Sequence, residues 1–385
     1  MSARSLVKYF ALALMAIILG VAAFAVFEER DARATLRPAA QRQRFPYVRA
    51  PFTRTDVTIS APVPGLAPRS IAFTTSTLGL RADELDLEAP RQGLRVLTLG
   101  GSVTECFLLD DADAWPHVLQ DTLAARTHAP VWVGNAGASG QMSLDFIAHA
   151  KVLVPLLAPD ITVVMLGGND LQAWVEGRLF PAAFDTDDAT RRYAERLYTG
   201  ASPALRSLEP SWALARLRRD LNAEAVDPTG FYAQMKARRN AATRSDDLPD
   251  FEDALDVYAA NVRQLATALR QAGTTPVFLT HPSLWRDDLP PEAQAALWAG
   301  YDCMDCPAPK YRSEKALARA MEQLNRALLD VCRTERVECL DLAPKVPKTL
   351  DSFYDDAHLL EAGSRIVANL VADFLVERML VEVPR

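Results

Sequence analysis

The sequence predicts an α/β fold in which a parallel sheet is covered by helices on both faces. Five short, continuous apolar runs recur along the chain, and amphipathic stretches with a helical period lie between them. A strand buried on both faces reads as a continuous apolar run, so this alternation is typical of a parallel sheet. The strands are predicted over residues 95–99, 130–133, 161–166, 276–280 and 337–342. The main intervening helices are predicted over residues 114–126, 144–157, 251–271 and 313–331.

The composition is that of a folded globular protein and excludes one class of partner. Hydrophobic residues make up 49% of the 385 residues and charged residues 24%, which is far from the composition of a disordered chain. The net charge is −7, and no basic stripe runs along the sequence. A nucleic-acid partner is therefore not expected.

The N-terminal region predicts export. Residues 9–27 carry no charge and are about as long as a helix that crosses a bilayer. Arg4 and Lys8, in the short tail over residues 1–8, give it the charged start of a secretory signal. We expect a single-pass membrane anchor with the catalytic domain outside the cytoplasm, in the periplasm or the extracellular space. The small residues Ala23 and Ala25 leave a cleaved, secreted form as the alternative.

The rest of the chain divides into a preceding segment and one large domain. Residues 28–90 are rich in Arg, Pro and Thr and show no sustained period, so they are predicted to form a stalk and a short cover that contains β-structure. The main domain is predicted over residues 91–385. The gap between its third and fourth strands, residues 175–250, carries many charges and several aromatic residues. It is expected to be a helical insertion beside the site, either a solvated surface or a lid.

The cysteines suit an oxidising compartment. Cys303 and Cys306 form a CxxC pair, and Cys332 and Cys339 flank the end of a predicted helix and the start of a strand. Two disulfides with Cys106 left free are the preferred interpretation. A zinc site and reduced, inert thiols are the alternatives, and the spacing does not give the pairing.

Glycine-rich turns with polar residues follow the first three predicted strands. Ser102 comes directly after two glycines, the second strand runs into NAGASG with Gly140 at its end, and the third ends in GGND with Asn169 and Asp170. Parallel sheets bind their ligands at the carboxyl ends of the strands. Taken singly, each feature is commoner as a helix cap or a turn, but their succession at three strand ends predicts a site.

A serine becomes a useful nucleophile only when a base removes its proton and a carboxylate holds that base in one tautomer. Asp355 and His358, three residues apart before the last predicted helix, fit these two roles. Ser102 is then the nucleophile. The oxyanion donors are predicted to be the backbone N–H groups of Ser102 and Gly140 and the side chain of Asn169.

One other histidine lies at the correct edge of the sheet. His281 follows the fourth predicted strand, but no carboxylate is spaced to orient it. His281 and Asp170 are therefore expected to contact the substrate instead. This chemistry requires neither a metal nor a cofactor.

The four blocks Gly-Gly-Ser at 100–102, NAGASG ending at Gly140, GGND at 167–170 and DDAH at 355–358 together resemble the SGNH (GDSL-type) hydrolases, over about residues 91–380. The resemblance implies a flavodoxin-like, three-layer αβα sandwich. It also implies Ser102 as nucleophile, Gly140 and Asn169 as oxyanion donors, and an Asp355–His358 pair. Gly101 stands where the name-giving pattern has aspartate, which leaves the nucleophile in place but says less about the substrate. The chain has no GxSxG elbow, which argues against the ordinary α/β-hydrolases.

The preferred function is a serine esterase that removes a short-chain or acetyl group from an exported glycan or a lipid through an acyl-Ser102 intermediate. The alternatives are an O-acyltransferase that modifies a cell-surface polysaccharide, a non-catalytic glycan-binding protein, and a thiol-redox role for Cys303 and Cys306.

Overall fold

A computed structural model describes residues 48–178 and 223–382, together with residues 15, 189–190, 192–194, 197 and 221. The strands are β1 (Arg54–Ile59), β2 (Arg69–Thr74), β3 (Leu94–Gly100), β4 (Val131–Asn135), β5 (Ile161–Met165), β6 (Glu224–Val226), β7 (Arg244–Ser245), β8 (Thr275–Leu279), β9 (Tyr311–Arg312) and β10 (Glu338–Leu340). The helices are α1 (Ser102–Glu105), α2 (Trp115–Thr127), α3 (Ser143–Val152), α4 (Val154–Leu157), α5 (Gly168–Val175), α6 (Thr229–Ala241), α7 (Glu252–Gln271), α8 (Pro291–Gln294), α9 (Glu314–Glu335) and α10 (Glu361–Glu377).

The main sheet has five strands in the order β10-β8-β5-β3-β4, and every pair is parallel. Each of its strands corresponds to one of the predicted apolar runs. All five residues of β5 are buried, as expected of a central strand covered on both faces. The predicted α/β class with a central parallel sheet is confirmed.

The long helices cover the sheet in two groups. Helices α2 and α10 pack against each other, and α7 packs against both α3 and α9. The predicted helix over 144–157 is wrong in one respect, because it is divided into α3 and α4 around Leu153. Pro155 explains the break, since proline has no N–H to donate and its ring clashes with the preceding turn.

The segment before the main sheet is part of the same core. Val57 and Ile59 of β1 and Ile71 of β2 are buried in the cluster that holds the central strands. Strand β1 pairs antiparallel with β2 and parallel with β6. The cover predicted over 28–90 thus contacts the insertion predicted over 175–250. The described part of that insertion contains helix α6 and also the short strands β6 and β7.

The predicted tail over residues 1–8 and the predicted anchor over residues 9–27 lie, apart from Met15, outside the described residues. Within the described part of the chain, we find no helix that combines the length and the apolar character of a membrane span.

Two disulfides join the cysteines that are close in sequence. Cys303 is bonded to Cys306, and Cys332 is bonded to Cys339. Cys106 is free and buried. The first bond closes a loop beside α6, and the second ties the end of α9 to β10.

Candidate active site

The turn after β3 brings Ser102 to the edge of the sheet. The strand ends at Gly100, Gly101 is the N-cap, and Ser102 is the first residue of the short helix α1. A Cβ atom on Gly101 would lie 2.5 Å from Nδ2 of Asn169, closer than any real contact of this kind. Glycine at 101 therefore lets the Asn169 amide pack against the backbone directly before Ser102.

Side chains from the segment before β3 hold the far end of α1. Arg81 is only 5% exposed, and its guanidinium donates to the carbonyl oxygens of Glu105 at 2.7 Å, Cys106 at 2.7 Å and Leu109 at 2.5 Å. The carboxylate of Glu105 accepts hydrogen bonds from Arg49 and from Ser139. These contacts neutralise the buried Glu105 and fix α1 against the loop that follows β4.

Ser102, His358 and Asp355 form one chain of hydrogen bonds. Nε2 of His358 lies 2.7 Å from Oγ of Ser102. Nδ1 of the same ring lies 2.9 Å and 2.8 Å from the two carboxylate oxygens of Asp355. The backbone N–H groups of Ala357 and His358 also donate to Asp355, at 3.1 Å and 2.9 Å. This arrangement matches the geometry of a nucleophile, its base and the group that orients the base.

The electrostatics of the pair favour an ionised carboxylate beside a basic imidazole. Burial opposes the charged imidazolium of His358, but the negative charge and the hydrogen bonds of Asp355 outweigh it and raise the pKa of His358. Burial also opposes the carboxylate of Asp355, and in return the charge of His358 and four donated hydrogen bonds lower the pKa of Asp355. Each group thus stabilises the charged form of the other.

The three predicted oxyanion donors are placed differently. Asn169 lies in the first turn of α5, and its Nδ2 donates to the carbonyl oxygen of Gln141 at 2.8 Å. Asn169 and Ser102 both line the cavity described below. Gly140 is exposed in the turn between Ala138 and Gln141, with φ +82°, and the neighbouring Gln141 lines the cavity in its place.

The two predicted substrate contacts have different outcomes. His281 lines the cavity with its ring against Gly168, where a Cβ atom would lie 2.5 Å from Nε2. Burial, with the charge of His358 in support, lowers the pKa of His281 to about 4, so the ring is neutral near pH 7. For Asp170 the prediction needs correction, because its buried carboxylate faces α3 and accepts from the N–H of Ser143 at 3.1 Å and from its hydroxyl at 2.6 Å.

The site opens into a small cavity of about 90 Å³. Its wall combines the catalytic-site residues with apolar side chains from three strand ends and the loop near α8. The lining includes Ser102, Val103, Met165, Leu166, Asn169, His281, Trp285, Trp298 and His358. A reacting carbonyl group in this cavity is therefore close to Ser102, His358 and Asn169 together.

The sequence reasoning did not find the aromatic side chains around His358. Nε1 of Trp298 donates to Asp355 at 2.9 Å, and that ring is nearly parallel to the imidazole, at an angle of 5° with centroids 6.4 Å apart. The ring of Tyr354 stacks on the imidazole at 5.4 Å, and Tyr232 of α6 meets it edge-on at 6.3 Å. No sequence motif identifies Trp298 or Tyr232 as site residues. Trp298 lies in the loop after α8 and Tyr232 lies in the insertion, and only the tertiary fold brings these two segments to the site.

In the part of the chain that the structure describes, no group of three or more His, Cys, Asp or Glu side chains is suited to hold a metal ion.

Three solved structures that match most of the chain have low sequence identity to it. An acetylxylan esterase from Geobacillus stearothermophilus is 15% identical and has a TM-score of 0.41, with 74% of this chain and 94% of that chain covered. A lipase/acylhydrolase from Enterococcus faecalis is 12% identical with a TM-score of 0.42, over 76% of this chain and 100% of that chain. The hydrolase LAE5 from the metagenome of Lake Arreo, Spain, is 15% identical with a TM-score of 0.40, over 75% and 97%. No curated protein matches the sequence.

The family is shown by a sequence profile. The profile of the GDSL-like lipase/acylhydrolase family matches residues 98–366. That match begins just before the Ser102 turn, ends beyond His358, and covers well over half of the chain. The chain therefore belongs to the GDSL-like lipase/acylhydrolase family and is a carboxylic ester hydrolase.

Proposed function

We propose that the chain is a serine esterase that removes a short acyl group from an exported glycan through an acyl-Ser102 intermediate. The observation that carries the proposal is the Ser102–His358–Asp355 chain of hydrogen bonds, 2.7 Å and 2.8 Å long, at the wall of a cavity of about 90 Å³.

In the first half of the reaction, His358 accepts the hydroxyl proton while Oγ of Ser102 forms a bond to the ester carbonyl carbon. The carbonyl oxygen becomes an oxyanion that accepts hydrogen bonds from the N–H of Ser102 and from Nδ2 of Asn169, with the N–H of Gly140 as the third predicted donor. His358, now an imidazolium beside Asp355, returns the proton to the alcohol oxygen as the ester C–O bond breaks. Water repeats the sequence on the acyl-serine and releases the free acid.

The size of the cavity supports a short acyl group. A dry cavity of about 150 Å³ is enough to bind benzene, and this one is smaller at about 90 Å³. Met165, Leu166 and Trp285 form part of its apolar wall. An acetyl or similarly short chain fits this space.

The rim of the site supports a glycan as the alcohol portion. Phe231 of α6 is 44% exposed, and its ring lies 5.7 Å from Tyr232 and 6.2 Å from Trp298. The C–H faces of a sugar ring pack on aromatic rings, whose faces carry partial negative charge. His281, neutral and beside the cavity, is proposed to hydrogen-bond the same substrate.

The N-terminal region supports a location outside the cytoplasm. We propose that residues 9–27 anchor the protein in the membrane and that the catalytic domain faces the periplasm or the extracellular space, where polysaccharide esters are found. The two disulfides suit an oxidising compartment.

The test is the hydrolysis of p-nitrophenyl acetate, butyrate and octanoate by the full chain and by Ser102→Ala. We expect kcat/KM to fall as the acyl chain lengthens, and Ser102→Ala to lose at least about 10³-fold in kcat. Ser70→Ala, at an exposed position of β2, is the matched control and retains activity. Hydrolysis that is equal in Ser102→Ala and wild type refutes the proposal, and an added sugar that becomes acylated identifies a transferase instead.

A further inference from the structure

Two adjacent carboxylates lie beneath His358, and only the first belongs to the triad. Asp356 is buried, and it accepts hydrogen bonds from Nε1 of Trp285 at 2.7 Å, from the N–H of Trp298 at 2.8 Å and from the N–H of Ala299 at 3.0 Å. Asp356 thereby fixes the loop after α8 at the backbone of Trp298.

The side chain of Trp298 reaches from this loop to the triad. Its indole N–H donates to Oδ2 of Asp355 at 2.9 Å, and its ring lines the cavity next to the imidazole of His358. The other carboxylate oxygen, Oδ1, accepts from the backbone N–H groups of Ala357 and His358. Apart from His358, Trp298 is the side chain that donates to Asp355 within the described residues.

We propose that Trp298 is a positioning residue for catalysis, held by Asp356, whose indole N–H sets the orientation and the charge distribution of the Asp355 carboxylate that orients His358. This inference rests on the proposed function, since it assigns Asp355 and His358 their roles. Asp355 then orients the base His358. Asp356 holds Trp298, which in turn orients Asp355.

The physical reason is that the buried Asp355 carboxylate loses one hydrogen-bond donor when the Trp298 indole is removed. Without the indole N–H, the Oδ2 atom keeps only His358 as partner, and the carboxylate is oriented only by the imidazole and by the two backbone N–H groups on Oδ1. Its negative charge is then less dispersed and attracts the imidazolium of His358 more strongly. We therefore expect the pKa of His358 to rise further and the ring to be held less well for transfer of the Ser102 proton.

Other groups around His358 are left in place by the substitutions chosen. Negative charge reaches the imidazole from Asp355, Asp356 and Glu105, and His281 faces it from the end of β8. The rings of Tyr232 and Tyr354 pack against it, and Lys236 lies near the two aspartates. A shift in the pH profile of a Trp→Phe variant therefore reports on the lost indole N–H.

The test compares Trp298→Phe with Trp285→Phe. Both variants remove one indole N–H from a buried carboxylate and one tryptophan from the cavity wall, but only Trp298 donates to Asp355. With p-nitrophenyl acetate, we expect Trp298→Phe to lower kcat by about 10- to 100-fold and to move the acid limb of kcat/KM to higher pH. Trp285→Phe is judged on the acid limb alone, which is expected to move less than in Trp298→Phe, because Asp356 acts on His358 through its charge and not through a hydrogen bond.

An acid limb that is unmoved in Trp298→Phe, or moved equally in both variants, overturns the inference. If Trp298→Phe does not fold, the indole N–H resonances of the wild type, with tryptophan labelled by ¹⁵N, decide the matter. The chemical shift of the Trp298 indole N–H is expected to change with pH at the pKa of His358, and that of Trp285 is not. A Trp298 chemical shift that does not change at that pH overturns the inference. Loss of the proposed function is recognised separately, because the wild type itself then fails to hydrolyse the ester.

Discussion

Removal of the Arg81 guanidinium is expected to destabilise the protein strongly, although Arg81 is far in sequence from Ser102. In Arg81→Met the carbonyl oxygens of Glu105 and Leu109 lose the guanidinium donor, Cys106 keeps only the N–H of Leu109, and Asp111 loses a 2.7 Å ion pair. A buried acceptor left unpaired costs about 1–3 kcal/mol, and loss of the ion pair adds less than in a fully buried pair, because the Asp111 side chain is 31% exposed. Because water can reach part of the loosened loop, we expect the free energy of unfolding to fall by about 3–5 kcal/mol.

The assay is urea unfolding followed by tryptophan fluorescence, with Arg91→Met as the matched control. Arg91 also forms an ion pair, with Asp160, but the two side chains are 44% and 41% exposed. Exposed pairs contribute about 0–1 kcal/mol, so the control is expected to unfold close to the wild-type urea concentration. A loss below about 1 kcal/mol in Arg81→Met, or an equal loss in both variants, refutes the reasoning that Arg81 anchors the end of α1.

Three further predictions concern the site and the cysteines. The base must be neutral and its pKa is raised, so kcat/KM is expected to fall with decreasing pH at a midpoint above the ordinary imidazole value of about 6.5; activity that persists unchanged to pH 5, roughly 1.5 units below that value, contradicts this assignment. In Gly101→Ala the new Cβ meets Nδ2 of Asn169 at 2.5 Å, so we expect kcat to fall by about 10²–10³-fold. Gly230→Ala, whose Cβ meets no atom within 4 Å, keeps its activity, and equal kcat in both variants counts against Asn169 as a donor. Titration of thiols is expected to find none in the native protein, one after denaturation without reductant, and five after reduction, because burial raises the pKa of Cys106 to about 11; three free thiols before reduction contradict the pairing.

Local patterns were sufficient for much of the fold. The five main strands were predictable because a strand covered on both faces must be apolar along its whole length, and this property is visible in a single sequence. The break at Leu153 was missed because the apolar helical period continues through Pro155. The period predicts one helix, but proline has no N–H to donate and interrupts it. The small sheet of β1, β2 and β6 was not predictable in detail, since it joins residues about 170 positions apart.

The geometry of the triad was predictable for a related reason. Ser102 lies at a strand end, and Asp355 and His358 are only three residues apart, so the fold class and local spacing together bring them to one edge of the sheet. Asp170 was misjudged because a polar residue at a strand end can face either the ligand or the neighbouring helix, and here it faces Ser143. Sequence spacing does not distinguish these two directions.

By itself, the sequence determined the α/β class, the family blocks and the candidate nucleophile, base and orienting carboxylate. Only the tertiary structure decided which side chains surround them: Arg81 behind the nucleophile helix, Trp298 on Asp355, and Phe231 and Tyr232 at the rim. These residues come from loops and from an insertion that have no periodic pattern and no fixed spacing to the triad. Their positions depend on how distant segments pack, through side-chain shape and hydrogen bonds in three dimensions. Such packing produces no local sequence pattern from which it could be predicted.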